Sequence, residues 1–147
     1  MTLPHSCREK IFSFLLDLRE KILEQFERLE GGTPFEREPW QYQKGDGGGE
    51  IAQLRGNIFE KAAVNWSKVS GAAYPLDPSQ GSFFATGLSL ITHMRNPHAP
   101  TSHFNIRFIE TEKSRWFGGG YDLSPMGFIY EDVTAHFHSF AKRSLDP

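Results

Sequence analysis

The stretch His103-Phe104-Asn105-Ile106-Arg107 places a proton carrier, an amide and a fixed cation at every second position. In an extended strand alternate side chains share a face. His103, Asn105 and Arg107 then form one row, and Phe104, Ile106 and Phe108 form the packing row behind it. Ser89-Leu90-Ile91-Thr92-His93 groups Ser89, Ile91 and His93 in the same way. An ordinary amphipathic strand also alternates, but Thr, Lys or Glu would serve it; His, Asn and Arg point to a site on a sheet. Arg107 suits a carboxylate, which a guanidinium grips through two charge-assisted hydrogen bonds. A cross-strand salt bridge to Asp or Glu explains it equally well.

Trp116-Phe117-Gly118-Gly119-Gly120-Tyr121-Asp122-Leu123 is a third unusual stretch. Its glycines allow close backbone approach and can also mark a bulge. Asp122 reads either as a carboxylate delivered to a pocket or as a cap or turn residue, since Ser124-Pro125 follows. Histidine also ligates metals, and six are present: His5, His93, His98, His103, His136 and His138. His136 and His138 stand roughly 200° apart on a helix, so they do not face one centre together. His93, His103 and one helix histidine could converge as a three-histidine metal site, although the spacing matches no zinc motif.

Composition bounds these readings. The 147 residues suit a single domain with its own core. A charged fraction of 23% and a net charge of -2 give no excess that would attract nucleic acid. The aromatic share of 14% suits a broad sheet face or a pocket for a flat ligand. Cys7 is the single cysteine, so no intrachain disulfide forms, which fits a reducing compartment. No apolar run approaches the ~18 residues of a membrane span. No signal or transit pattern opens the chain, and a cytoplasmic setting is expected.

The elements that must position these residues follow from periodicity. Ser6-Cys7-Arg8-Glu9 reads as a capping box. Ile11, Leu15, Leu18, Ile22, Phe26 and Leu29 then form a helical stripe that Gly31-Gly32 ends. The stripe suits packing on a sheet, with a coiled coil as the alternative. Trp40 and Tyr42, the turn Gly45-Asp46-Gly47-Gly48-Gly49, and residues 51–55 read as a hairpin. A phosphate loop would need a lysine and a helix after the glycines, and neither follows. Strands are expected over 58–69, 82–94, 103–110 and 114–121, and a helix over 131–143. The short loop between the second and third of these strands makes them antiparallel neighbours, which brings Ser89 and His93 near His103 and Arg107.

In order along the chain, Gly47-Gly48-Gly49, Phe59-Glu60-Lys61-Ala62, the run from Gly87 to His93, Asn96-Pro97, the run from Pro100 to Phe108, and the run from Trp116 to Pro125 form a specific set. From about Trp40 onward the chain resembles the oxygen-dependent coproporphyrinogen III oxidases of haem biosynthesis. The resemblance implies an α+β fold, with a large antiparallel β-sheet flanked by helices on both faces, assembled as a homodimer. It implies oxidative decarboxylation of two propionates of coproporphyrinogen III to vinyls, with molecular oxygen as co-substrate and no organic cofactor. By motif, Ser89, Asn105 and Arg107 match substrate-binding positions, His103 a proton donor, and Asp122 an acid near the pyrrole nitrogens. His93, His103 and His138 match positions assigned to manganese in some members; others appear metal-free. No nucleic-acid partner and no membrane span are implied.

The family's domain is expected to run on beyond Pro147 for about as long again. Residues 1–147 then correspond to the N-terminal portion of one domain. A non-catalytic tetrapyrrole-binding or assembly module of the same fold is the alternative function.

Overall fold

The computed structural model describes residues 5–146, with side chains from Cys7 onward. Its elements are helix α1 (His5–Leu29), strands β1 (Glu36–Gln41), β2 (Asp46–Leu54), β3 (Phe59–Gly71), β4 (Phe83–Met94), β5 (Thr101–Thr111) and β6 (Arg115–Ser124), and helix α2 (Glu131–Leu145). The strands form one sheet in the order β1-β2-β3-β4-β5-β6, each antiparallel to its neighbour. The α+β class and the antiparallel sheet are as expected.

Register assigns every strand residue to a face. Val64 pairs with Leu90, Leu90 with Phe104, and Phe104 with Tyr121. This is the core face. Leu23 of α1 packs there with Phe35, Ala52, Leu54, Phe59, Ala62, Val64 and Leu90. The α1 stripe therefore covers a sheet and forms no coiled coil. Salt bridges tie the helix to the same face ahead of this contact: Arg8 Nε stands 2.9 Å from Glu110, and the buried Arg19 reaches Glu50 at 2.7 Å. At the helix C-terminus the buried Glu30 carboxylate accepts the backbone amides of Asn57, Ile58 and Phe59, which clamps the β2–β3 turn. A side chain at Gly56 would collide with that carboxylate.

Three expectations need correction. Helix α1 is already helical at His5, so Ser6 stands within it and not at its cap. Gly47, Gly48 and Gly49 belong to β2, not to the turn before it. Their role is cross-strand clearance: a β-carbon on Gly49 would run into the Trp66 carbonyl oxygen and come within 2.8 Å of the Trp40 indole. Strand β6 extends through Asp122 to Ser124, three residues past the expected end. Both described helices meet the core face. Helix α2 touches it through Phe137, whose ring lies 5.4 Å from that of Tyr121. Among the described residues no helix covers the opposite face.

Candidate active site

The uncovered face collects the strand residues singled out by type and spacing. Ile91 pairs with His103, and His103 with Asp122. One rung along, Asn65 pairs with Ser89, Ser89 with Asn105, and Asn105 with Gly120. The next rung runs from Gly87 to Arg107 to Gly118. Lys61 pairs with His93 at the other end. Ser89, His93, His103, Asn105, Arg107 and Asp122 thus share one face because pairing is antiparallel throughout and directly opposed residues project together.

Two polar contacts organise the face. His103 Nδ1 lies 2.9 Å from Asp122 Oδ1, and Ser124 Oγ donates to the same oxygen at 3.1 Å. The His103 contact, aided by Ser124, holds the Asp122 carboxyl below its ordinary range against a smaller opposing effect of burial. Asp122 is therefore an ionised strand residue that grips His103, and the cap or turn reading falls away. With its Nδ1 proton directed at Asp122, His103 leaves Nε2 to accept or deliver a proton. Arg107 Nη2 donates to Asn105 Oδ1. Among the described residues the Arg107 guanidinium has no carboxylate partner, so the salt-bridge account of it does not hold. Arg107 is exposed, and a carboxylate can reach it from the open side.

A concavity of about 610 Å³ lies on this face, lined among others by Trp40, Asn65, Ser67, Ser89, Asn105 and Arg107. Sequence reasoning missed Trp40, Asn65 and Ser67. The signal for the last two was available: they alternate in β3 and fall opposite Ser89 and Gly87 once the ladder is drawn. The Asn65 side chain also accepts the Ala52 amide at 3.3 Å, which turns its own NH₂ group free of the ladder. At one end of the face Tyr74 packs edge-on against Phe83 and Trp116, each at 5.9 Å.

The three histidines matched to manganese do not come together. His93 and His103 share the open face, while His138 is exposed on α2, the helix whose Phe137 meets the core face. Among the described residues no set of three His, Cys, Asp or Glu side chains is placed to hold a metal ion. The residues present do not fit that centre. No described helix is long and apolar enough to cross a membrane.

Comparison with known proteins bears on the same residues. The chain is similar to the oxygen-dependent coproporphyrinogen-III oxidases of Rickettsia bellii strains OSU 85-389 and RML369-C. Each is 41% identical over 155 residues, a match that covers 95% of this chain and 54% of the relative. The chain spans about half the length of these relatives. A family model described as coproporphyrinogen III oxidase matches residues 10–147, a span that holds all six strands and the whole open face. The chain belongs to the coproporphyrinogen III oxidase family.

Proposed function

We propose that the open face binds coproporphyrinogen III and serves its oxidative decarboxylation to protoporphyrinogen IX. One observation carries the reading: an Arg107 with no carboxylate partner and a polarised His103–Asp122 pair, with the Asn105 rung between them, project from one uncovered sheet face. The substrate carries four carboxylates. Arg107, supported by Asn105, holds one of them; Ser89 and Asn65 offer further donors across the same rung. Each propionate reacts as R–CH2–CH2–COO⁻ + O2 + H⁺ → R–CH=CH2 + CO2 + H2O2. The C–COO⁻ bond breaks, its electron pair becomes the new C=C bond, and a hydride equivalent from the adjacent carbon goes to oxygen. His103 supplies the proton, and Asp122 fixes its tautomer and stabilises its charged form. The electron-rich tetrapyrrole supplies the reducing power, so the protein's part is to orient, exclude water and move a proton. No organic cofactor enters this reaction.

A cytoplasmic homodimer belongs to the same reading. The lone Cys7 suits a reducing setting. The open edges of β1 and β6, with the exposed Phe117, Phe128 and Phe140, favour self-association.

The test is anaerobic binding of coproporphyrinogen III to the full-length protein. Arg107→Ala is expected to weaken binding by ~10- to 150-fold, the equivalent of a lost charged hydrogen bond of ~1.5–3 kcal/mol. Lys10→Ala, on the exposed side of α1, is the reference substitution. Equal dissociation constants for the two variants refute the assignment. A tetrapyrrole carrier without turnover would show the same binding and no oxygen uptake.

A further inference from the structure

Trp40 has no place in the roles given so far, yet the fold makes specific room for it. It stands on the edge strand β1 and pairs with Gly49. Gly49 pairs with Ser67, Ser67 with Gly87, and Gly87 with Arg107. Trp40 and Arg107 thus stand five strands apart, counted inclusively, on a single rung that beyond Arg107 meets only Gly118 of β6. Between them lie two glycines and a serine. The span is four interstrand spacings, or ~19 Å. Both end residues use the glycines beside them. A β-carbon on Gly49 would come within 2.8 Å of the Trp40 ring, and one on Gly87 within 3.1 Å of the Arg107 β-carbon. The rung is therefore a shallow trough with an aromatic plate at one end, a cation at the other and a floor that is nearly bare backbone. All five residues line the concavity or underlie it.

A bare floor admits a wide ring close to the sheet. An aromatic wall offers that ring a face to pack on, and a cation across from it takes a carboxylate arm. We propose that Trp40 is a binding residue for the macrocycle, seating one edge of the tetrapyrrole while Arg107 holds a propionate on the far side. This rests on the functional reading above and adds the determinant of ring size. Arg107 alone would accept any small carboxylate; the pair of ends selects a ligand that spans the trough.

The test uses the full-length protein, coproporphyrinogen III under anaerobic conditions, and equilibrium dialysis with the ligand read as its porphyrin after oxidation. Trp40→Ala is expected to weaken binding about tenfold with an unchanged thermal midpoint, since Trp40 lies on an edge strand outside the core cluster. Trp40→Phe, which keeps a ring, should recover affinity to within about threefold of the parent. In 15N-labelled protein the indole N–H resonance lost in Trp40→Phe should move when the ligand is added. Three results overturn the proposal: unchanged affinity in Trp40→Ala, equal losses in the Ala and Phe variants, or an indole resonance that stays put because another part of the protein lies over it. Any of these beside a weakened Arg107→Ala leaves the functional reading standing. An Arg107→Ala variant that binds like the parent removes that reading itself.

Discussion

Glu30 is the sharpest place to test whether the frame beneath the site is understood. Its side chain is buried, at 7% exposure, and receives the Phe59 amide at 2.9 Å, the Ile58 amide at 3.0 and 3.1 Å, and the Asn57 amide. Phe59 is itself buried, so in Glu30→Ala its amide is left without protein or water. That costs ~1–3 kcal/mol. Asn57 and Ile58 are exposed and can turn to water, so their lost bonds add at most ~1 kcal/mol each. The sum, ~1–5 kcal/mol, reaches the upper end for a single substitution. Glu30→Gln keeps one acceptor but turns an NH₂ group toward donors, and should fall between the parent and Glu30→Ala. Burial alone would raise the Glu30 carboxyl, but the amides of Phe59, Ile58 and Asn57 together outweigh it, and the carboxyl is held below its ordinary range. A carboxyl depressed on folding stabilises the native state above its unfolded pKa and loses that contribution as pH falls through the folded value. Urea unfolding midpoints should therefore separate parent and Glu30→Gln most widely near neutrality and converge as the pH falls through the acid range in which this lowered carboxyl takes up its proton. A Glu30→Ala variant within ~0.5 kcal/mol of the parent at neutral pH would refute the clamp. So would a gap that widens on acidification.

Two further outcomes are expected. Asp122→Asn should lower kcat by ~10- to 100-fold while leaving the anaerobic dissociation constant of coproporphyrinogen III within about threefold, because it removes the partner that orients His103 and not a carboxylate contact; an unchanged kcat would show that His103 needs no such partner. A polypeptide of these 147 residues alone should bind the substrate weakly, self-associate and show no oxygen-dependent protoporphyrinogen formation; turnover by a monomer, measured by fluorescence of the oxidised product and by sedimentation, would mean the site is complete on one face.

Much of the site was legible because β-structure has a period of two. The rows Ser89/His93 and His103/Asn105/Arg107 could be read from alternation, and a short loop sufficed to set β4 against β5. Asp122 was harder. Three glycines before it weaken any strand signal, and only the Asn105–Gly120 and His103–Asp122 pairs show that β6 runs on. Glycine misled again at 47–49, where its density resembles a turn. The requirement there is steric clearance between neighbouring backbones and the Trp40 ring, which no local pattern states. Trp40 itself reads as core from sequence, since an aromatic at an alternating position usually is. The separation of His138 from His93 and His103 depends on which face α2 meets, and that is set by Phe137 against Tyr121, a tertiary contact. The clamp at Glu30 was invisible for the same reason: the amides that donate to it lie 27 to 29 residues away in sequence.

The exposure of the polar row decides what this face can do unaided. His103 and Asp122 are 40% and 58% exposed, and Arg107 is exposed beside them. In water an ion pair at 4 Å is worth only ~1 kcal/mol, and at an effective dielectric of ~20 about four times that. A guanidinium open to solvent therefore recognises a carboxylate without holding it firmly, and a solvated His103 trades its proton with water as readily as with a substrate. Both groups gain strength only when the ligand itself, seated over the bare trough between Trp40 and Arg107, displaces that water, and when a second wall closes on its other side. The sheet supplies orientation, through a rigid ladder clamped by Glu30 and backed by α1. The low-dielectric environment has to come from what lies on top of it. On the proposed reading, a flat macrocycle that covers the rung from β1 to β5 supplies part of that cover, and ring width and carboxylate placement are then read together on this face.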